Sequence, residues 1–188
     1  MTDQRIIDVI EDMERGSLGM SVPEEDARLL QVLAEALNAQ HVVEIGAFMG
    51  YSGLWIALAL RATGGKLTTF EVDARRAAGT KRRFEEAGVD DIVTLVVGDA
   101  HEALKSFKGP IDMAFIDADK RGYLSYFQAL SPLMRPGGLI LAHNVHSPRP
   151  DPKFIEAITT DPGFDTAFAN MDGAGMSITV KRATVKKS

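Results

Sequence analysis

The chain contains no cysteine among its 188 residues. It therefore forms no disulfide bonds and offers no thiolate ligands to a metal, a composition that fits a reducing compartment. Long apolar runs are also missing, because nowhere do about 18 apolar residues follow one another, as a membrane-spanning helix requires. The first residues, Met1 to Arg5, do not begin a basic segment followed by an apolar one, as a secretory signal would. We therefore expect a soluble, cytoplasmic protein.

Basic residues are fewer than acidic ones. Lysine and arginine together number 21, against 26 aspartate and glutamate residues, which gives a formal net charge of −5. Nucleic-acid-binding domains usually carry a basic patch, and the basic cluster from Lys181 to Lys187 is more simply a solvated terminus. We therefore expect a small-molecule partner rather than a nucleic acid or a membrane.

The length and the apolar content, 45% of all residues, suit one globular domain over residues 1–188. Apolar residues recur at helical spacing from Glu24 to Leu37, and beyond them short apolar runs alternate with helical patterns. This alternation predicts a parallel sheet with helices on both faces. The predicted strands are Val42–Ile45, Leu67–Val72, Ile92–Val97, Met113–Ile116 and Gly138–Ala142. Helices are predicted to begin near Ser52, Ala74, Ala100 or His101, Tyr123 and Lys153.

Two β-rich runs follow the last predicted helix. They are Phe164–Ala169 and Met176–Val180, and the segment Asp172–Gly175 between them is a hairpin signal. A hairpin joined to a parallel sheet gives it an antiparallel strand near one edge. The predicted fold class is therefore α/β, a doubly wound, mainly parallel sheet with a C-terminal antiparallel hairpin.

A glycine turn after the first predicted strand is the most informative local motif. Glu44, Gly46 and Gly50 are spaced as Glu-x-Gly-x-x-x-Gly and lead directly into a helical pattern. A dinucleotide site would instead show Gly-x-Gly-x-x-Gly, with backbone N–H groups directed at a pyrophosphate. An acidic turn suits a cationic ligand without phosphate, such as S-adenosylmethionine, which carries a sulfonium and an ammonium. The alternative is an ordinary tight connection between strand and helix.

Every predicted strand of the parallel sheet has a polar residue at or just beyond its carboxyl end. In open α/β sheets, ligands bind beyond the carboxyl ends of the strands, so we expect these residues to converge. An acid such as Glu71 can accept hydrogen bonds from ribose hydroxyls, and Asp99 can accept one from an adenine amino group. Taken singly, both are also ordinary helix-capping acids. The polar residues at the strand ends are Glu44, Glu71, Asp99, Asp117, His143 and Asn144.

Together these motifs resemble the catechol and caffeoyl-coenzyme-A O-methyltransferases. The resemblance rests on Val43–Ser52, Phe70–Asp73, Gly98–Ala100, Phe115–Tyr123 and Leu133–Gly138, and it covers nearly the whole chain. It implies the class I methyltransferase fold, S-adenosylmethionine as methyl donor and a hydroxylated aromatic acceptor. The residues implied to hold the donor are Val22, Glu44, Gly46, Ser52, Glu71, Asp99, Ala100 and Asp117.

The resemblance also implies a divalent cation, held in that family by two aspartates and an asparagine. Asp117 and Asn144 match that pattern, but His143 stands where the family has aspartate. Magnesium prefers oxygen ligands, whereas imidazole suits softer ions. Three interpretations therefore stay open: a softer metal bound by Asp117, His143 and Asn144, weakened metal binding, or a metal-free enzyme with His143 as the base.

Lys120 matches the residue proposed as general base in that family, and the alternative is an exposed lysine paired with Asp119. The segment between Asn144 and the last predicted helix is shorter than in the family. We therefore expect an acceptor pocket that is open or that a second subunit of a homodimer completes.

Other functions explain the sequence less well. A nicotinamide oxidoreductase would require the missing dinucleotide turn, and methylation of a base nitrogen would require a run like Asn-Pro-Pro-Tyr, which the sequence lacks. The main alternative is an S-adenosylmethionine-binding protein of the same fold with lost or altered catalysis.

Overall fold

The computed structural model describes residues 2–16, 22–146, 150–169 and 174–183. The chain divides into two compact units, Met1–Ala100 and His101–Ser188. The expectation of one domain over residues 1–188 therefore stays a prediction. Among the described residues, no helix is both long enough and apolar enough to cross a membrane.

The first unit is a parallel sheet with helices packed against it. Its strands lie in the order β3-β2-β1, and both pairings are parallel. The strands are β1 (His41–Ile45), β2 (Lys66–Glu71) and β3 (Val93–Val97), and the helices are α1 (Thr2–Arg15), α2 (Glu24–Ala36), α3 (Tyr51–Thr63) and α4 (Ala74–Ala87).

Buried apolar residues of β1 and α3 form part of the core of this unit. Val42 and Val43 of β1 are fully buried, as expected for a strand covered on both faces. Leu54 and Leu60 of α3 are also fully buried, and α2 packs against α3. At the start of α4, the Asp73 carboxylate accepts hydrogen bonds from two backbone N–H groups, which fixes where β2 gives way to the helix.

The second unit is a mixed sheet in the order β4-β5-β7-β6. Strands β4 and β5 are parallel, whereas β7 runs antiparallel to β5 on one side and to β6 on the other. The strands are β4 (Ile111–Ile116), β5 (Met134–His143), β6 (Phe164–Ala169) and β7 (Met176–Lys181). The helices are α5 (Ala100–Leu104), which begins at the boundary between the units, α6 (Tyr123–Leu130) and α7 (Pro152–Thr160).

The structure confirms the predicted fold class, including the C-terminal antiparallel pair. The predicted hairpin loop falls partly outside the described residues. The helix α1 was not predicted, although Ile6, Ile10 and Met13 form a buried stripe at helical spacing. The strand β5 begins at Met134 rather than at the predicted Gly138, and its register against β4 shifts between Ile111 and Met113.

Candidate active site

The glycine turn predicted from the sequence lies between β1 and α3. The backbone N–H groups of Gly46 and Ala47 both donate to the carbonyl of Phe70, at 3.0 and 2.9 Å, so the turn is fastened to the end of β2. Gly50 has a φ of 88°, and a Cβ there would lie 3.1 Å from the Thr80 side chain. The turn therefore requires glycine at this position, both for its conformation and for space.

Glu44 is held inside the first unit by two hydroxyl groups. The Ser52 hydroxyl donates to its Oε1 at 2.5 Å, and the Thr69 hydroxyl donates to its Oε2 at 2.6 Å. The residue is fully buried. Its carboxylate thus joins the first turn of α3 to β2, and a direct contact with a ligand stays a prediction. Thr69 was missed by the sequence analysis, although it is the parallel-register partner of Glu44.

Glu71, at the end of β2, anchors the glycine turn from the other side. Its Oε2 accepts a hydrogen bond from the Phe48 backbone N–H at 2.8 Å. Its Oε1 accepts from the Asp73 backbone at 2.9 Å and from the Arg76 guanidinium at 2.8 and 3.1 Å. A carboxylate oxygen can accept two hydrogen bonds, so the described contacts leave Oε2 with capacity for a ribose hydroxyl.

The other predicted donor-binding residues of the first unit are placed by the same elements. Val22 is buried just before α2, and Gly46 is half-buried in the turn. Asp99 is exposed after β3, and Ala100 is buried at the start of α5. Their roles in binding the methyl donor stay predictions.

A second cluster lies in the other unit, where Lys120 is surrounded by oxygen atoms. Its Nζ donates to Asp117 Oδ1 at 3.2 Å, to Asn144 Oδ1 at 2.8 Å and to the Tyr123 hydroxyl at 2.5 Å. The Tyr123 hydroxyl in turn donates to the His143 carbonyl at 2.9 Å. The sequence alternative of an exposed lysine paired with Asp119 is wrong, because this ammonium pairs with Asp117.

The chain reaches this geometry in two steps. Asp117 follows β4, and Lys120 and Tyr123 lie three and six residues later, in the short 3-10 turn Lys120–Gly122 and the first residue of α6. His143 and Asn144 come from the end of β5, which is parallel to β4, so both strands present their carboxyl ends on the same side. Tyr123 was missed as a site residue, although its spacing from Asp117 and Lys120 was a usable signal.

The charges of this cluster depend on one another. Burial alone would raise the pKa of Asp117, but the nearby His143 imidazole and the Lys120 ammonium lower it below its ordinary value. Burial lowers the pKa of Lys120, and the Asp117 carboxylate opposes that shift. Burial and the charges of Asp117 and Asp119 raise the pKa of Tyr123, which therefore stays a neutral phenol.

His143 completes the cluster from the end of β5. Its Nδ1 lies 3.6 Å from Asp117 Oδ2, slightly longer than a normal hydrogen bond, and its side chain is only 5% exposed. Imidazole is the most common general base in enzymes, and the position of His143 beside a carboxylate suits that role.

The donors of this cluster do not fit a magnesium ion. They comprise one carboxylate, one amide oxygen and one imidazole, and the Lys120 ammonium contacts both oxygen-bearing side chains. Magnesium requires near-octahedral oxygen ligation, usually with carboxylates to offset its charge. Here the single carboxylate is already neutralised by the lysine. The residues that the structure describes contain no group of three or more histidine and acidic side chains arranged to hold a metal.

Comparisons with known proteins agree with this fold. The family described as O-methyltransferase matches residues 9–147. The chain belongs to the O-methyltransferase family. It is 37% identical to a catechol O-methyltransferase from Niastella koreensis over 171 residues, which cover 88% of this chain and 76% of that protein. It is 38% identical to a caffeoyl-CoA O-methyltransferase from Populus kitakamiensis over 135 residues, or 69% of this chain and 57% of that protein.

The chain is also similar to solved structures of O-methyltransferases. An O-methyltransferase from Bacillus cereus in complex with SAH superimposes with a TM-score of 0.81 at 27% identity, covering 96% of this chain and 90% of that one. The resemblance predicted from the sequence motifs is thus confirmed, as is the class I methyltransferase fold. The chain spans only 57% of the length of the Populus protein. The methyl acceptor of this chain is therefore a matter for proposal and is not taken from its relatives.

The Asp117 ion pair predicts how acid affects stability in this O-methyltransferase. Because the folded-state pKa is lowered, the contribution of Asp117 is fully present above its unfolded pKa of about 3.9 and is lost as the pH falls through the folded value. We expect wild type to have a higher free energy of unfolding than Asp117→Asn at pH 6. This difference is expected to shrink toward pH 3.

Denaturant titrations at several pH values would measure this difference. The control is Asp165→Asn, which removes an exposed partner of Arg182 and is expected to stay close to wild type throughout. A difference between Asp117→Asn and wild type that is constant with pH would contradict the ion pair.

Proposed function

We propose that this O-methyltransferase transfers the methyl group of S-adenosylmethionine to a hydroxyl of a small aromatic acceptor of the catechol type. The observation that carries the proposal is the cluster in which Asp117, Asn144 and Tyr123 hold the Lys120 ammonium. A fixed positive charge of this kind stabilises a phenolate, and a free phenol with a pKa near 10 is a poor nucleophile.

The reaction is an in-line displacement in which an O–CH₃ bond forms and the S–CH₃ bond breaks. S-adenosylmethionine supplies an activated methyl group on a sulfonium. The chain must orient the acceptor oxygen, stabilise its negative charge and accept its proton. Lys120 and His143 are the two candidate bases, and the three acceptors around Lys120 favour its protonated form, since an ammonium has three N–H donors. This leaves His143 as the better candidate.

Support for the donor comes from the first unit. The glycine turn is acidic, and Glu71 Oε2 keeps acceptor capacity. The Bacillus cereus neighbour, named as a complex with SAH, shares this fold across 96% of the chain. We infer that Glu71 binds the ribose, alongside the other residues predicted from the sequence.

Glu71→Gln tests that role. Because the substitution keeps the shape and removes the charge, we expect S-adenosylmethionine to bind about 10- to 100-fold more weakly, as for loss of a charged hydrogen bond. Isothermal titration calorimetry measures the change, and Glu85→Gln on the exposed side of α4 is the matched control. Equal affinity of Glu71→Gln and wild type would remove Glu71 from the donor site.

The decisive experiment for the function is a methyl-transfer assay. Purified protein is incubated with labelled S-adenosylmethionine and a panel of catechols and hydroxycinnamates, with chelator and then with magnesium, manganese, iron or zinc. We expect O-methylated product from at least one catechol. Binding of the donor without transfer to any hydroxyl would instead support the alternative, a donor-binding protein with lost catalysis.

The remaining assignments are also proposals. The lack of cysteine favours a reducing, cytoplasmic setting. A homodimer would complete the acceptor pocket next to the short segment after Asn144, and light scattering measures that mass directly.

A further inference from the structure

The Lys120 ammonium contacts two side chains that match the cation ligands of the resembled family. Its Nζ is 2.8 Å from Asn144 Oδ1 and 3.2 Å from Asp117 Oδ1, so one positive charge bridges an amide oxygen and a carboxylate. These are the two oxygen-bearing side chains that match the cation ligands of the resembled family. Both are held from parallel strand ends, which gives the ammonium a fixed position.

All three N–H groups of the Lys120 ammonium have hydrogen-bond acceptors, which hold it in place. It has three N–H donors, and Asp117, Asn144 and the Tyr123 hydroxyl supply three acceptors. The charge also lies over the Tyr123 ring, 4.6 Å from its centre, an arrangement that adds cation–π attraction. Tyr123 is itself fixed, because it is fully buried and its hydroxyl donates to the His143 carbonyl.

A metal ion bound to the same oxygens would conflict with this lysine. An ion about 2.1 Å from Asn144 Oδ1 would stand less than about 5 Å from Nζ, since Nζ is 2.8 Å from that oxygen. Two positive charges at that separation repel each other, and among the described residues only the Asp117 carboxylate forms an ion pair with the ammonium. His143 supplies a neutral or positive imidazole rather than a second negative charge.

We propose that the Lys120 ammonium is a built-in cation that takes the place of the divalent metal ion at this site, and that it binds the acceptor oxygen. Its role toward the acceptor rests on the proposed function, whereas its exclusion of metal does not. The acceptor oxygen would replace one of the three present hydrogen-bond partners of Nζ, and the exposed fifth of the lysine side chain gives it access.

Manganese binding tests the exclusion without any assay of activity. Mn²⁺ tolerates both oxygen and imidazole ligands, and its free aquo ion is counted by electron paramagnetic resonance. We expect wild type to bind Mn²⁺ no better than Lys105→Ala, a control that removes an exposed lysine of the same unit. Lys120→Ala and Lys120→Gln are expected to bind one Mn²⁺ at least ten-fold more tightly, and a further Asp117→Asn change is expected to abolish the gain.

Two results would overturn the proposal. One is a wild type that binds a single Mn²⁺ as tightly as Lys120→Ala and loses it on Asp117→Asn. The other is a pair of folded Lys120 variants, checked by circular dichroism, that bind Mn²⁺ no better than wild type. A protein that shows the expected Mn²⁺ pattern but methylates no hydroxyl would contradict the proposed function and leave the built-in cation standing.

Discussion

Val43→Asp is expected to yield a protein that does not fold. Val43 lies in β1 with no exposed surface, opposite Thr68 of β2 in the parallel register. An aspartate there would be an unpaired charge in an apolar interior, which costs several kcal/mol. That cost is comparable to the whole stability of a domain, about 5–15 kcal/mol. Far-UV circular dichroism and guanidinium titration would show the loss of cooperative unfolding.

The matched control places the same substitution on the surface. Val32 of α2 is 59% exposed, so Val32→Asp changes the same side chain without burying a charge. We expect it to change the free energy of unfolding by less than about 1 kcal/mol. A Val43→Asp protein with the unfolding midpoint of wild type would contradict the placement of β1 in the core.

Lys120→Met is expected to lower kcat for methyl transfer by about 100- to 10,000-fold, because a charge that stabilises the reacting oxygen contributes rate of that order. Methionine keeps the length and much of the packing of the side chain but removes the charge. The dissociation constant for S-adenosylmethionine is expected to change by less than about threefold. Stopped assays with saturating donor, together with calorimetry, separate the two quantities.

Lys105→Met serves as the control for this loss, because Lys105 is exposed and pairs only with Glu102 among its described ion pairs. It is expected to keep the wild-type kcat. A Lys120→Met enzyme that retains full kcat would show that the positive charge has no part in the reaction. Partial recovery of Lys120→Met by added Mn²⁺ would agree with a divalent ion entering the position that the ammonium leaves.

Much of the fold could be predicted because its signals are local. The period of apolar residues located the strands β1 and β4, and the composition after residue 164 predicted the antiparallel pair. The start of β5 was misplaced because Pro136, Gly137 and Gly138 are typical of a turn, yet Met134 already pairs with Ile111 of β4. The register shift that follows accommodates these residues within the strand.

The candidate site was predictable only in part. Glu44 and Glu71 were found by their positions at strand ends, but their partners Thr69 and Arg76 were not, since these contacts depend on sheet register and on the direction of α4. The same limit applies to Lys120. Its sequence neighbour Asp119 suggested one ion pair, whereas the turn after β4 directs the ammonium back to Asp117.

The position of β7 has a consequence for the order in which the second unit forms during synthesis. β6 is made first but does not pair with β5, because β7 lies between them. Residue His143 at the end of β5 pairs with Met176, the first residue of β7. During synthesis on the ribosome, therefore, neither β6 nor the edge of β5 that carries His143 can pair with β7 until β7 emerges. The end of β5 that carries His143 is among the last parts of the unit to be completed.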